Sequence, residues 1–424
     1  MSRDTAPRRM AIFDIGKTNA RVVLADLAER RDLAMAQRPS KVLEGPPYPH
    51  LDVDGLAEFL LTTLGQWQAE ALLDGILAVG HGATFGLVAG DALVLPILDY
   101  DHSGPEEIAE EYDRQRPPFA ETGSPRMPGG LNIGAQLQWL EARFPAEVAR
   151  ADHALFWPQY WTWRLSGAAV TEISYATGHT DLWSIHSGEP ATERARTLFP
   201  PLSPATEIAG RLKPDLAKRY GLPDDLPIHT GIHDSSLALA PYAAADEETP
   251  CTVLSTGTWV TAFALGAREL PQAEGDGIMV SLDAQARPVP NMRRMTGRAF
   301  AELRAGDADG LPLRSTAACR IDGDGTSFRL VDRESGIPVA LDPGTGSRDN
   351  ALGAVIAHDA MAGMRAIGAR GPVHLSGPFG GNDGFVRTLE AHWDAPVRVL
   401  PYEAGLTEQV ADLFALRPRS RQMP

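Results

Sequence analysis

A carboxylate followed by a glycine-containing polar turn is the first feature of this sequence that could do chemistry. Asp14 lies near the end of an apolar run, and Gly16, Lys17, Thr18 and Asn19 follow before a second apolar run begins. Successive backbone N–H groups in such a turn can bind an anion, and a carboxylate beside them can hold a divalent cation. The stretch predicts a phosphate-binding β-hairpin with a metal-facing carboxylate, although an ordinary hairpin with a polar tip shows the same pattern.

The same pattern returns far along the chain. Residues 255–258 read Ser-Thr-Gly-Thr and stand between apolar runs that begin at Cys251 and end at Leu265. These four residues occupy the same positions relative to the flanking apolar runs as Asp14 to Lys17 do in the first hairpin. Two copies of one hairpin predict two related domains, with a loop from each reaching into a shared cleft, and chance similarity of two polar hairpin tips is the alternative.

Two further turns carry polar or glycine residues after an apolar strand. Asp234 follows the predicted strand Leu226–Thr230 and precedes a predicted helix, so it is either a helix N-cap or a general base projecting into the cleft. Residues 376–383 form a glycine-rich turn between a strand and a helix. There a flat ligand such as adenine could lie against the backbone.

Polar side chains suited to a polyol lie in the first half of the chain. His81 follows a buried strand and opens a glycine-rich loop, where α/β folds place ligands. Asp99 and Tyr100 belong to a hydrogen-bonding cluster at a strand end, and Gln159 and Tyr160 lie in the most aromatic stretch. The alternatives are a histidine satisfied by nearby backbone, a solvated acidic loop and, for the aromatic stretch, burial in the core.

Length and composition limit the class of protein. A chain of 424 residues forms two or three domains, and proline and acidic residues around Asp246 mark the expected border. The net charge of −16, from 39 basic and 55 acidic residues, argues against a nucleic-acid or anionic-membrane binder. Two cysteines give no disulfide framework or metal site and fit a reducing compartment.

The sequence shows no secretory signal and no apolar run near the roughly 20 residues of a membrane helix. The expectation is a cytoplasmic, soluble protein.

Taken in order, the four turns resemble the FGGY family of carbohydrate kinases, within the sugar kinase, heat-shock protein 70 and actin superfamily. The motifs are Asp-Ile-Gly-Lys-Thr-Asn at 14–19, Gly-Ile-His-Asp at 231–234, Ser-Thr-Gly-Thr at 255–258 and Ser-Gly-Pro-Phe-Gly-Gly-Asn at 376–382. The resemblance implies an α/β fold of two ribonuclease H-like, actin-like ATPase domains flanking a central cleft. An N-terminal domain, 1–245, would bind sugar and supply the first phosphate loop, and a C-terminal domain, 246–424, would bind ATP.

Residue by residue, the resemblance implies a kinase site with ATP and Mg²⁺. Asp234 matches the catalytic base and a substrate contact, and Asp14 and Asp234 match the carboxylates that face the metal. The matching ATP-binding residues are Gly16, Lys17, Thr18, Asn19, Thr256, Gly257, Thr258, Gly377, Gly380, Gly381 and Asn382. The looser matches to sugar contacts are His81, Asp99, Tyr100, Gln159 and Tyr160. The implied partners are a small sugar and ATP, with neither nucleic acid nor membrane; a homodimer is one assembly that the resemblance allows.

The chain also departs from the family pattern. It looks short, and residues 267–349 do not align with it. Lys17 is similar to the first-loop residue of members that act on deoxyketoses such as L-fuculose or L-rhamnulose, while ribulose and xylulose stay open. Two other functions remain: an ATPase or phosphatase of the same superfamily, and a non-catalytic ATP-dependent sugar-binding protein.

Overall fold

The computed structural model describes residues 7–67, 73–275, 277–305, 311–312, 316–323, 327–340, 348–401 and 404–416. The described chain divides into two compact units. Unit 1 takes the residues up to Ala243, together with Ser281–Arg287 and those from Ala404 onward. Unit 2 takes those within Ala244–Val280 and Pro288–Glu403.

Unit 1 is built on a seven-stranded sheet with the order β10-β11-β6-β1-β2-β3, and β12 pairs with β6 beside this path. β1, β2 and β3 run antiparallel in sequence, whereas β6 and β11 continue the sheet in parallel on the other side of β1. The strands are β1 (Arg9–Ile15), β2 (Asn19–Asp26), β3 (Arg31–Pro39), β4 (Val42–Leu43), β5 (His50–Leu51), β6 (Gly75–Gly80), β7 (Phe85–Ala89), β8 (Ala92–Leu93), β9 (His153–Phe156), β10 (Ile208–Arg211), β11 (Pro227–His229) and β12 (Ile232–His233).

The central strand β1 is buried from Met10 to Ile15 because both faces of this sheet are covered. Successive side chains of a strand point to opposite faces. Phe13 and Ile15 pack into one buried cluster, whereas Met10 and Ile12 pack into another on the opposite face. The helices of unit 1 are α1 (Val53–Trp67), α2 (Ala109–Gln115), α3 (Phe119–Thr122), α4 (Ile133–Arg143), α5 (Pro145–Val148), α6 (Trp157–Ser166), α7 (Ile173–Ala176), α8 (Glu193–Leu198), α9 (Pro214–Tyr220), α10 (Asp234–Leu237) and α14 (Leu406–Ala415).

Unit 2 is built on a six-stranded sheet with the order β15-β16-β14-β13-β21-β22. The strands are β13 (Cys251–Thr256), β14 (Val260–Leu265), β15 (Ile278–Leu282), β16 (Pro288–Arg294), β17 (Leu311–Pro312), β18 (Cys319–Gly323), β19 (Phe328–Asp332), β20 (Val339–Ala340), β21 (Val373–Ser376) and β22 (Val397–Val399). The helices are α11 (Thr296–Ala305), α12 (Arg348–Ala366) and α13 (Asp383–His392). α12 and α13 bury apolar side chains such as Met361, Phe385 and Leu389 with Leu254 of the sheet.

The two sheets repeat one plan. In each unit a β-hairpin, β1–β2 or β13–β14, is joined by a third antiparallel strand, and a parallel strand then pairs with the first strand of the hairpin. The predicted duplication of the hairpin is thereby confirmed, and with it the α/β fold of two related domains.

The chain divides at Ala243, close to the border expected near Asp246. The prediction placed everything after that border in the second domain, but the structure groups α14 with unit 1. The reason is packing: Val410 and Leu413 of α14 are buried in the cluster that contains Met10 and Ile12. The assignment of sugar binding to 1–245 and of ATP binding to 246–424 stays a prediction.

Candidate functional site

Three strand ends of unit 1 meet at one edge of its sheet. β1, β6 and β12 are parallel, and their last residues are in register, with Gly80 opposite both Ile15 and His233. The residues that follow a strand end leave the sheet at its carboxyl edge, where ligands bind in α/β sheets. The first hairpin turn, His81 and Asp234 therefore converge although they are far apart in the sequence.

Asp14, in β1, pairs with a cation on the neighbouring strand. Its Oδ2 accepts hydrogen bonds from Nε of Arg21, at 2.7 Å, and from Nη2 of the same guanidinium. Burial raises the pKa of Asp14 despite the Arg21 charge, and the Asp234 carboxylate adds to the rise. The pKa of Asp14 therefore depends in part on the charge of Asp234. Among the described residues no hydrogen bond ends on Asp14 Oδ1, so this oxygen can face a ligand.

Asp234 is the first residue of α10, and the N-cap position belongs to His233. Its Oδ1 accepts a hydrogen bond of 2.6 Å from the backbone N–H of Ser235 and lies 3.3 Å from His233 Nε2. The side chain is 44% exposed, so a solute can reach the carboxylate. The geometry gives Asp234 an oriented, accessible acceptor for a proton, as a general base requires.

His81 is buried directly beyond β6. Its ring lies between Tyr100, at 5.5 Å between centroids, and Trp157, at 6.0 Å. Burial lowers the pKa of His81, opposed by its hydrogen bond to the Gly82 carbonyl and by the Asp234 charge, so the imidazole is neutral near pH 7. Nδ1 is 3.0 Å from the Gly82 carbonyl oxygen, which places the proton on Nδ1 and leaves Nε2 as an acceptor.

Two more histidines, His179 and His233, lie beside Gly82, and the sequence did not single them out as ligand contacts. The His179 and His233 rings are 6.2 Å apart, and a Cβ on Gly82 would come within 2.9 Å of His233 Nε2. His179 has φ of +63°, and nearby Ala83 has φ of +56°. Non-glycine residues in this region of backbone space are uncommon and cluster at functional sites. This backbone signal cannot be seen in a sequence.

Lys17 turns towards the predicted sugar contacts. Its ammonium forms an ion pair with the Asp99 carboxylate and another, at 2.8 Å, with Asp101 Oδ2. It also lies 4.3 Å from the centroid of the Tyr100 ring. Asp99, Tyr100 and Lys17 therefore form one cluster, and the lysine predicted to bind ATP phosphates is engaged elsewhere.

The rest of the first hairpin turn is held by hydrogen bonds to its backbone carbonyls. Gly16 N–H donates to the Asn19 carbonyl at 3.0 Å. Ser40 Oγ donates to the Gly16 carbonyl at 2.8 Å, and Ser40 N–H donates to the Thr18 carbonyl at 2.9 Å. Thr18 and Asn19 are exposed. The turn is therefore fixed in shape while its tip stays accessible.

Gln159 and Tyr160 lie inside α6 and have internal partners. Gln159 is fully buried, and its Nε2 donates to the Thr230 and Gly231 carbonyls at 3.0 and 3.2 Å. Tyr160 accepts a hydrogen bond from Arg164 at 2.8 Å and stacks on Trp157. Gln159 thus fixes the turn that carries Asp234, and the burial expected for this aromatic stretch is confirmed.

Glu172 is also buried and helps, through Tyr175, to position His81 and His233. It caps α7, accepting from Ser174 N–H at 3.1 Å, Ser174 Oγ at 2.6 Å and Tyr175 N–H at 3.1 Å. Tyr175 in turn donates to the His81 carbonyl at 2.6 Å and packs edge-on against His233. Burial raises the pKa of Glu172 to about 7 from 4.5, opposed by the bonds from Ser174 and Tyr175.

Replacing Glu172 should therefore have a pH-dependent effect on stability. The folded carboxyl keeps its proton up to about pH 7, whereas the unfolded one releases it near pH 4.5, so the free energy of unfolding falls as pH rises between these values. Glu172→Gln does not titrate. Its stability deficit relative to wild type should shrink by as much as about 3 kcal/mol, at about 1.4 kcal/mol per pKa unit, between pH 5 and pH 7.5. Urea denaturation of both proteins across this range measures it; a deficit independent of pH would contradict the assignment.

In unit 2 the second hairpin adjoins the glycine-rich turn. Thr256 Oγ1 donates to the Ser376 carbonyl at 2.6 Å and accepts from Phe379 N–H at 3.2 Å. Gly377 has φ of +88°, and a Cβ there would overlap the Thr256 carbonyl oxygen. Thr256 and Gly377 therefore hold the two loops together.

The remaining predicted ATP-binding positions differ in what they offer a ligand. Thr258 is exposed, and Gly257 N–H donates to the Trp259 carbonyl at 2.9 Å. A Cβ on Gly380 would lie 3.0 Å from Val399, whereas one on Gly381 would meet nothing within 4 Å. Asn382 caps α13, since its Oδ1 accepts from Phe385 N–H at 2.9 Å. Gly381 thus has open space beside its Cα, and Asn382 fixes the start of the helix that follows.

Within the described ranges no group of three or more histidine, cysteine, aspartate or glutamate side chains is arranged to hold a metal ion. Mg²⁺ usually takes only one or two carboxylates from the protein, so the assignment of Asp14 and Asp234 to a metal stays a prediction. In the same ranges, each helix is too short or too polar to reach across a bilayer.

Comparison with known proteins agrees with the folds of both units. The model of the FGGY family of carbohydrate kinases, N-terminal domain, matches residues 106–240, and that of the carbohydrate kinase FGGY, C-terminal domain, matches 248–323. The structure of a carbohydrate kinase from Novosphingobium aromaticivorans is 30% identical and superposes with a TM-score of 0.81 over 98% of this chain and 93% of that one.

Two more distant relatives add detail. An L-fuculokinase from Salmonella typhi is 28% identical over 263 residues, 58% of this chain and 54% of the relative, so the match spans about half of the curated protein. A ligand-bound xylulose kinase from Lactobacillus acidophilus, 13% identical, shares the fold with a TM-score of 0.71 over 96% of this chain and 88% of that one. The predicted resemblance is confirmed: this chain belongs to the FGGY family of carbohydrate kinases.

Proposed function

We propose that this protein transfers the γ-phosphoryl group of ATP to a hydroxyl of a small ketose or deoxyketose, with L-fuculose as the first candidate. Family membership and the named activity of the L-fuculokinase relatives support the reaction and the sugar class. The ordered polar cluster at the carboxyl edge of the unit 1 sheet supports a small polyhydroxylated acceptor.

The observation that carries the proposal is the position of Asp234. Its carboxylate is oriented by Ser235 and His233, is accessible, and is close enough to Asp14 to raise the pKa of that residue. In phosphoryl transfer the protein mainly positions the reactants, offsets charge and accepts the proton of the attacking hydroxyl. Asp234 is the group we assign to that proton.

Asp14 is the carboxylate we assign to the metal, through the Oδ1 that no described residue binds. A bound Mg²⁺ would offset the negative charge of the transferring phosphoryl group. Arg21 holds the other oxygen of Asp14 and so fixes the orientation of the carboxylate. Asp234 is the second candidate ligand, since its charge acts on Asp14.

For the nucleotide, we assign one hairpin turn in each unit. In unit 1 we assign phosphate contacts to the turn at Gly16, Thr18 and Asn19, where the tip is exposed. In unit 2 we assign phosphate contacts to Gly257 and Thr258 and adenosine contacts to the surface at Gly380 and Gly381, with Thr256, Gly377 and Asn382 shaping those loops.

For the sugar, we assign His81, Asp99 and Tyr100. His81 offers a neutral ring with Nε2 as an acceptor, and Asp99 offers a carboxylate. Sugar hydroxyls are good donors to both groups. Gln159 and Tyr160 support this site from within the core, so we do not assign them direct contacts.

The test is ATP consumption with Mg²⁺ against a panel of L-fuculose, L-rhamnulose, D-ribulose, D-xylulose and glycerol, with a control that contains no sugar. Strong stimulation by one ketose supports the proposal and identifies the substrate. Equal turnover with and without every sugar would indicate an ATPase. ATP binding without turnover would indicate a non-catalytic sugar-binding protein.

A further inference from the structure

We propose that Lys17, although it lies in the first phosphate-type turn, acts on the sugar and not on ATP: it is a positioning residue that holds Asp99 and the Tyr100 ring for the acceptor. The inference rests on the proposed function and assigns a residue of that same site to the other substrate.

The geometry of the Lys17 side chain carries the inference. The ammonium is paired with two carboxylates, Asp99 and Asp101, and lies over the Tyr100 ring at 4.3 Å. These three residues are consecutive and more than 80 positions away in the sequence, so one side chain pins a whole loop segment. The Lys17 side chain is only 23% exposed, which leaves its charge little contact with water.

This arrangement fixes the orientation of the Asp99 carboxylate. Both of its side-chain hydrogen bonds, from Lys17 Nζ and from Asp101 N–H at 3.2 Å, end on Oδ1. Among the described residues none ends on Oδ2. A carboxylate fixed through one oxygen presents the other as a strong acceptor for a donor hydroxyl. That second oxygen is the sugar contact that Lys17 would hold in place.

The charges of Asp99 and Asp101 explain why the Lys17 ammonium remains paired with this loop. The Asp99 residue is only 7% exposed, and removing the partner of a poorly solvated charge is costly. For Lys17 to reach a phosphate, its ammonium would have to leave both carboxylates and the Tyr100 ring. Backbone N–H groups, by contrast, bind phosphates from a turn without the help of the lysine.

The test is Lys17→Met with Lys213→Met as the matched control. Lys213 has the same 23% exposure, one ion pair, with Asp91 at 3.1 Å, and one aromatic face, Trp163 at 5.3 Å, but lies outside the site. Calorimetric titration with L-fuculose and, separately, with Mg²⁺ and a non-hydrolysable ATP analogue gives both affinities without turnover. We expect Lys17→Met to raise the Kd for L-fuculose at least tenfold and to change the Kd for the analogue less than twofold, while Lys213→Met changes neither.

The same titrations with Asp99→Asn and the double variant test the route of the effect. If Lys17 acts through Asp99, adding Lys17→Met to Asp99→Asn lowers sugar affinity little further. A tenfold loss of analogue affinity in Lys17→Met, or an unchanged affinity for L-fuculose, would overturn the inference.

A wild-type protein that binds no L-fuculose would count against the proposed substrate. The analogue titration would then still decide whether Lys17 contributes to ATP binding. If Lys17→Met fails to fold, Lys17→Arg takes its place. The longer guanidinium keeps the charge but not the position of the ammonium, so the loss should again fall on the sugar.

Discussion

Replacing Asp234 by asparagine is expected to lower kcat for sugar phosphorylation by roughly 10²- to 10⁴-fold, the usual contribution of a general base. The amide keeps the size of the carboxylate and can still accept from Ser235 N–H, but it cannot take a proton from the attacking hydroxyl. Because the side chain is 44% exposed, the thermal midpoint of unfolding should change little. Steady-state turnover with saturating ATP and sugar measures the effect.

The matched control is Asp215→Asn. Asp215 is also an exposed aspartate in the first turn of a short helix, α9, but it lies away from the edge of the sheet where Asp234 is placed. Its replacement should leave kcat within twofold of wild type. Wild-type turnover in Asp234→Asn would show that another group accepts the proton.

The largest effect on stability is expected from Gly377→Ala. The backbone at Gly377 has φ of +88°, and a Cβ would overlap the carbonyl oxygen of Thr256, a residue of the β13–β14 hairpin. Strained backbone and a backbone clash together should lower the free energy of unfolding by at least about 2 kcal/mol. Urea denaturation measures the loss, and the Kd for the non-hydrolysable ATP analogue should rise with it.

Gly381→Ala serves as the control in the same turn. A Cβ at Gly381 meets nothing within 4 Å, so the free energy of unfolding should change by no more than about 0.5 kcal/mol. Equal stability of the two variants would mean that the hairpin and the glycine-rich turn do not approach as closely as described.

Local pattern was sufficient to predict the parts of the fold that depend on local chemistry. The two hairpins, the strand end before His81 and the strand-to-helix turn at Asp234 each follow from an apolar run that stops at glycine or at polar residues. The order of these turns then identified the family. Cys251 and Cys319 are both buried.

What the sequence could not supply were the partners of individual side chains. The ion pair of Lys17 with Asp99 joins residues 82 positions apart, and nothing near Lys17 indicates its direction. Gln159 Nε2 donates to the buried carbonyls of Thr230 and Gly231, two partners that nothing in the neighbouring sequence indicates. Helix α14 has an ordinary apolar face, which shows that it packs but not on which sheet.

A sugar kinase is distinguished from an ATPase most directly by where the phosphoryl group goes. With L-fuculose or the best sugar of the panel, ATP and Mg²⁺, the amounts of ADP, sugar monophosphate and inorganic phosphate are followed together by phosphorus NMR. We expect ADP and sugar monophosphate in equal amounts, only when sugar is present, with little free phosphate. Inorganic phosphate equal to ADP, with or without sugar, would contradict it.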